Sequence, residues 1–253
     1  MPATPAWPPK SAPRLFVASS IAAGVPITLE SNQAHYLAKV MRMAPGDTVI
    51  LCDDVTGEWA AAITDVGKRH ITLQPAEHLR QREPVPDFWL CPALLKKDRF
   101  DLVLEKGSEL GVGEIRPLIT RRCVADKLNA ERAKAIVTEA AEQCARTALP
   151  VLAEPVPLAR LLAHWPADRT LFFADELGGA PAASAFAGTT KAALLVGPEG
   201  GFDDAERTMI RALPQARRIT LGPRILRGET AAIAATALWM GIAGDWNNSL
   251  ARG

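Results

Sequence analysis

The chain has 253 residues, with 29 Lys+Arg against 28 Asp+Glu and a formal net charge of +1. That balance excludes a histone-like polycation but leaves room for local basic patches. At 48% hydrophobic and 23% charged residues it also excludes wholesale disorder and a fibre, and about 70% of the surface of such a chain can be buried without a disulfide or metal staple. Cys52, Cys91, Cys123 and Cys144 make no C-x-x-C pair, and the four histidines, at 35, 70, 78 and 164, show no ligand spacing, so no metal is expected. There is no signal-like apolar run at the start, and the most apolar stretch, 231–243, is too short to span a bilayer. The expectation is a soluble cytoplasmic protein with reduced thiols and no membrane partner.

In chain order, residues 1–13 carry five prolines and predict a loose tail. Short strands are expected over 14–18, 46–52, 58–66 and 70–74, with one helix over 31–43 capped by Ser31. Close-spaced short strands suggest a small β-barrel over 14–77. The polar, two-proline stretch 78–87 reads as a linker. From 88 to 253 strands alternate with helices. Strands are expected at 88–94, 114–120, 170–174, 191–196 and 218–221. Helices are expected from an Asp98 cap to 110, over 129–147, over 203–213 with Asp203 and Glu206 at capping-box spacing, and over 229–244. That alternation predicts an α/β domain with a mostly parallel sheet.

Two of these strands share one sequel. The strand at 191–196 runs into Gly-Pro-Glu-Gly-Gly at 197–201 and then a helix; the strand at 218–221 runs into Gly-Pro-Arg-Ile-Leu-Arg-Gly at 222–228 and then a helix. Ligands of open α/β sheets bind beyond the carboxyl ends of strands, and glycine permits close backbone approach. The pair therefore predicts one cofactor pocket. Neither loop matches G-x-G-x-x-G or the P-loop, so a dinucleotide or triphosphate is disfavoured.

Charge concentrates beside the second loop: residues 207–227 hold six arginines (207, 211, 217, 218, 224 and 227) and no acid. Arg224 and Arg227 flank the loop and suit oxygen-anion recognition, whereas Arg207 and Arg211, on a predicted helix, are expected to be a solvated face. Lys96, Lys97 and Arg99 cluster at a predicted helix start, where either an anionic partner or a loose surface cluster accounts for them. In the helix over 129–147, Ala133, Ile136, Val137, Ala140, Ala141 and Cys144 mark the buried face, while Glu139, Glu142, Gln143 and Arg146 fall on another that spacing alone leaves as wet surface.

Taken together these segments resemble the RsmE-type 16S ribosomal RNA uridine-N3 methyltransferases of the SPOUT superfamily. The matching segments are Pro-Arg-Leu-Phe at 13–16, 35–42 with Gly46 and Asp47, 105–112, Arg121 and Arg122, 142–146, 195–202 and 221–230, all in the family's order. Gly107, Ser108 and Gly228 depart from the pattern, and the proline-rich tail has no counterpart.

The resemblance implies an α/β fold with a trefoil-knotted C-terminal methyltransferase domain and an N-terminal PUA-like β-barrel. It implies S-adenosylmethionine as cofactor, without metal, and a homodimer acting on 16S rRNA, within the small ribosomal subunit. The cofactor would be held by Ala174, Val196, Gly197, Pro198, Gly200, Gly201, Leu221, Gly222, Ile225 and Leu226. Arg227 would stabilise the charge developing on uracil, and either Glu229 or Glu199 would accept the N3 proton or fix that arginine. Arg14, Arg42, Lys96, Lys97, Glu142, Gln143, Arg146 and Arg224 would lie near the RNA. A same-fold enzyme acting on tRNA or on a ribose 2′-OH, and a non-catalytic RNA-binding protein, stand as alternatives.

Overall fold

The structure, a computed structural model, describes residues 12–248. Most of the tail expected over 1–13 lies outside them. The chain divides into two compact units, one running to Pro84 and also taking in Ala141–Ala148, the other comprising Val85–Ala140 and the chain from Leu149 on.

The first unit contains β1 (Arg14–Phe16), β2 (Ile27–Glu30), α1 (Ser31–His35), a π-helical turn (Tyr36–Val40), β3 (Thr48–Cys52), β4 (Glu58–Val66) and β5 (His70–Arg80). Its sheet has the order β1-β3-β4-β5-β2, antiparallel except for the β1–β3 pair. Leu29, Leu37, Val49, Leu51, Ile63, Ile71 and Leu73 form its core.

Two expectations change here. The helix over 31–43 is shorter and widens: Met41 N–H donates to Tyr36 O at 2.9 Å, a five-residue closure. Because β2 runs straight into α1, Glu30 takes the cap position without a side-chain bond, and Ser31 is the first helical residue at φ +51°. β5 also continues six residues past Gln74, because β4 stays paired with it and Glu58 binds the Arg80 guanidinium at 2.6 Å. Residues 78–80 are therefore strand.

The second unit contains β6 (Phe88–Pro92), α2 (Lys97–Glu109), β7 (Glu114–Ile115), β8 (Leu118–Ile119), α3 (Ala130–Cys144, whose end enters the first unit), β9 (Val151–Leu152), β10 (Val156–Pro157), α4 (Leu158–Ala163), β11 (Thr170–Ala174), β12 (Ala180–Pro181), α5 (Ala182–Phe186), β13 (Ala192–Val196), α6 (Asp204–Ala212), β14 (Ala216–Thr220) and α7 (Gly228–Ile242). Seven strands make one parallel sheet in the order β12-β14-β11-β13-β6-β7-β9. Alternate residues feed two cores. Leu90, Phe172, Leu194 and Val196 pack with Val103 and Leu104 of α2 and Ala232 and Trp239 of α7. Cys91, Leu171, Phe173 and Leu195 pack with Leu161 of α4 and Ile210 of α6. Every residue of β13 is buried, as a strand covered on both faces requires.

Local chemistry sets the ends of these elements. Pro117 interrupts the strand expected over 114–120, leaving β7 in the large sheet while β8 pairs with β10. Asp98 lies within the first turn of α2 rather than capping it, because the Lys96 carbonyl already takes the Arg99 and Phe100 N–H groups. The helix expected to 147 stops at Cys144, with Ala145 at φ +62°. At α6 the predicted capping box is present.

Candidate active site

β11, β13 and β14 end side by side, and beyond their carboxyl ends lies a cavity of about 500 Å³. Its walls are the two glycine loops, the start of α7 and Arg99 of α2. Nine of the ten residues assigned to the cofactor line it: Ala174, Val196, Gly197, Pro198, Gly201, Leu221, Gly222, Ile225 and Leu226. Gly200 does not. A Cβ there would sit 3.3 Å from that of Arg122, whose guanidinium donates to the Gly200 carbonyl at 2.8 Å, so Gly200 faces the loop's outer brace.

The first loop is held from several sides. Gly201 adopts φ +65° and its N–H closes a turn onto Pro198 O at 2.9 Å. A Cβ on Gly197 would lie 2.9 Å from the buried Phe202 ring. Glu206 of the capping box also accepts the Arg121 backbone N–H at 2.8 Å, and the Arg121 side chain donates to Asp203 at 3.0 Å. In the second loop Gly222 sits at φ +110°, and Thr220 Oγ1 accepts its N–H at 3.3 Å. Ile225 is 86% exposed. Arg224 and Arg227 are exposed on the cavity rim, and Arg227 caps α7 by position only, without a side-chain bond.

Arg207 is not part of a solvated face, whereas Arg211 is exposed as expected, though its guanidinium also reaches Asp175. Asp175, at the end of β11, has no exposed side-chain surface and lies against the Arg207 guanidinium, with Arg211 at 2.9 Å and Arg218 at 3.4 Å. Arg207 also binds Glu176 and is itself buried. Burial alone would push the Asp175 pKa up, but hydrogen bonds from Arg211 and Leu177 N–H and the charge of Arg207 hold it below the usual carboxylate range. Asp175 and Glu176 line the cavity, and neither carried a motif that would have marked it.

Glu199 and Glu229, one from each loop's edge, converge on the guanidinium of Arg99, at 3.7 and 3.8 Å. Glu229 is buried and its Oε2 has no hydrogen-bond partner. Arg99 belongs to the basic cluster seen in the sequence, but its place on the cavity wall depends on how α2 packs beside the loops.

The remaining candidates divide between the units. Lys96 and Lys97 are exposed at the start of α2. In the first unit Arg42 is exposed, at φ +54°, and Gln143 is exposed. Arg14 is held at 2.6 Å by the buried Glu58, which Arg80 also grips. Burial would raise the pKa of Glu58, but those two arginines hold it below the usual range. Glu142 accepts the Phe16 N–H at 2.7 Å, and Arg146 is buried with Glu83 at 3.5 Å. Among the described residues no cluster of metal-ligating side chains occurs, and no helix is long and apolar enough to cross a membrane.

Known proteins are similar to this chain in sequence and fold. The RNA methyltransferase domain family matches residues 81–240, and the RNA methyltransferase PUA domain family matches 29–76. Ribosomal RNA small subunit methyltransferase E of Rickettsia conorii is 31% identical over 229 residues, 88% of this chain and 93% of that one. Its Synechocystis counterpart is 32% identical over 232 residues, covering 88% and 76%. The Neisseria gonorrhoeae ribosomal RNA small subunit methyltransferase E, solved bound to S-adenosylmethionine, superposes with a TM-score of 0.83 at 27% identity over 93% of this chain and 100% of that one. A Legionella pneumophila methyltransferase with its cofactor bound gives 0.83 at 29% identity, over 92% and 98%. With its N-terminal PUA domain, this chain belongs to the RNA methyltransferase family that includes the ribosomal RNA small subunit methyltransferases E.

Proposed function

We propose that the protein methylates N3 of a uridine in 16S ribosomal RNA, using S-adenosylmethionine held in the cavity between the two glycine loops. One observation carries this reading: beyond the carboxyl ends of β11, β13 and β14, a cavity of about 500 Å³ is walled by close-approach backbone and rimmed by two exposed arginines. That volume falls in the range of small-molecule sites, and the glycine backbone offers N–H and C=O groups to a purine and ribose. The bound cofactor supplies an electrophilic methyl group, so no metal is required.

The chain's own residues supply the rest. Uridine N3 keeps its proton at neutral pH and lies on the pairing edge, so the base must enter unpaired or flipped out. Arg227 makes no ion pair within the described residues and faces the rim, where its planar fork can hold the negative charge that collects on the base oxygens as the proton leaves. Glu199 and Glu229 stand on Arg99 rather than on Arg227, so they act through that partner or on the cofactor. Arg42, Lys96, Lys97, Arg224 and Gln143 offer exposed groups to RNA, whereas Arg14, Glu142 and Arg146 act by shaping the first unit. The reading carries with it a homodimer, a cytoplasmic setting and a C-terminal domain threaded as a trefoil knot.

Incubating the protein with 30S subunits and labelled S-adenosylmethionine, then identifying the modified nucleoside by mass spectrometry, tests it. 3-Methyluridine is expected; a 2′-O-methyl nucleoside, or label appearing only in tRNA, would refute it.

A further inference from the structure

The charged groups around the cavity are in two different conditions. Asp175, Glu176 and Arg207 engage one another at contact distance. Arg99, one-third exposed, makes no such contact: its nearest carboxylate oxygens, on Glu199 and Glu229, stand 3.7 and 3.8 Å away, beyond hydrogen-bond length. Its donors are therefore available to something in the cavity. Arg99 and Glu199 both line that cavity, presenting a cation and an anion side by side. Glu229 does not line it; it lies buried behind, with Oε2 unpartnered, where a small inward shift of the guanidinium would satisfy it. Arg99 also sits in the first turn of α2, whose positive end favours an anion.

A cation and an anion set together on a wall complement a ligand end that carries both signs at short range. We propose that Arg99 and Glu199 form the receptor for the α-carboxylate and α-ammonium groups at the amino-acid end of the cofactor, with Glu229 as the positioning residue that aims Arg99. The assignment rests on the cofactor reading above and adds the direction in which the ligand lies. Its amino-acid end points to α2, and its adenosine lies against the backbone of the glycine loops.

Two probes isolate that end. S-adenosylhomocysteine and 5′-methylthioadenosine share the adenosine and thioether, but only the first has the amino-acid groups. Calorimetric titration of the full chain should show wild type binding S-adenosylhomocysteine more tightly. Arg99→Ala should weaken that binding about 10- to 100-fold, the size of one or two charge-assisted hydrogen bonds, and leave methylthioadenosine within about twofold. Arg99→Lys should recover part of the loss. Glu199→Gln should act in the same ligand-selective way, and Glu229→Gln should add little once Arg99 is gone, because the two act as one unit.

Equal loss of both probes in Arg99→Ala would mean a merely structural role and would overturn the proposal. So would unchanged affinity for both, even if the RNA KM rose, since Arg99 would then face RNA. Wild type binding neither probe would remove the cofactor reading itself.

Discussion

The two loops that enclose the cavity have similar sequences, Gly-Pro-Glu-Gly-Gly and Gly-Pro-Arg-Ile-Leu-Arg-Gly, and opposite mechanical settings. Around the first, Arg121, Arg122, the Asp203–Glu206 capping box and the buried Phe202 ring all fix the backbone, and the Asp175–Arg207 pair closes the wall beside it. The second is secured by two long Thr220–Gly222 hydrogen bonds, both 3.3 Å, and by the close approach of Gly228 to the Gly197 carbonyl, where a Cβ would lie 3.1 Å away. Its cations and Ile225 face outward. A preorganised wall suits a small ligand that must be held in one pose, and an open, cationic wall suits a large anionic substrate that arrives from outside. Substitutions in the first wall should therefore register as stability and cofactor affinity, and those in the second as turnover and salt dependence.

The largest effect is expected at Asp175. Asp175→Ala removes the fully buried one of the two carboxylates that Arg207 engages, leaving it Glu176 and the Phe202 carbonyl, and should cost up to about 3–5 kcal/mol in urea unfolding. Because the folded-state pKa of Asp175 lies below the ordinary carboxylate value, its contribution is complete above that value and is lost as pH falls through the acid range. Asp175→Asn should accordingly be destabilised at pH 7 and differ less from wild type near pH 3. A variant as stable as wild type at pH 7 would show that the first wall is not held by this pair.

Next comes Arg227, on the open wall. Arg227→Ala should lower kcat about 10²- to 10³-fold, as loss of one preorganised donor does, with S-adenosylhomocysteine affinity and melting temperature almost unmoved. Arg227→Lys should rescue it only in part. A loss confined to KM would place Arg227 on RNA phosphate instead, and a fall in cofactor affinity would erase the distinction between the walls.

Within the braced loop the glycines are not equivalent. Gly197→Ala must push against the Phe202 ring, a collision that typically costs about 1–3 kcal/mol, and should weaken S-adenosylhomocysteine binding. Gly200→Ala meets only the Arg122 stem on the outer side and should bind nearly as wild type does. The reverse order in a calorimetric comparison would put Gly200 back on the cavity wall.

This asymmetry marks what the sequence could convey. Strand, glycine loop and helix are contiguous, so local pattern made the two loops legible as one pocket, as it did the capping box, while the individual cofactor residues, Ala174 of another strand among them, came from the resemblance. Arg207 was misjudged because its partner, Asp175, lies 32 residues earlier at the end of another strand. Only the β11–β14 pairing brings them together. Arg99 was visible as a cation at a helix start, yet nothing local says that the helix opens onto two loops 100 and more residues later. β2, β9, β10 and β12 escaped because two to four residues are too few to establish an alternation.

The smallest effect concerns the RNA contacts, and there the contrast is between arginines that are free and arginines that are built in. Arg224, on the open wall, and Arg42, in the first unit, are exposed, whereas Arg146 is buried against Glu83. Each phosphate contact releases counterions, so the logarithm of RNA affinity should fall with the logarithm of salt by about 0.7–0.9 per contact. Arg224→Ala and Arg42→Ala should each flatten that line by about one such contact while leaving the melting temperature unchanged. Arg146→Ala should do the opposite, lowering the melting temperature because a buried side chain and its ion pair with Glu83 are lost, with the slope intact wherever the protein remains folded. Filter binding from 50 to 200 mM salt, beside thermal melts, reads both. If Arg146→Ala flattened the slope as much as Arg224→Ala, burial in the free protein would not predict engagement with RNA, and the first unit would have to open that arginine on binding.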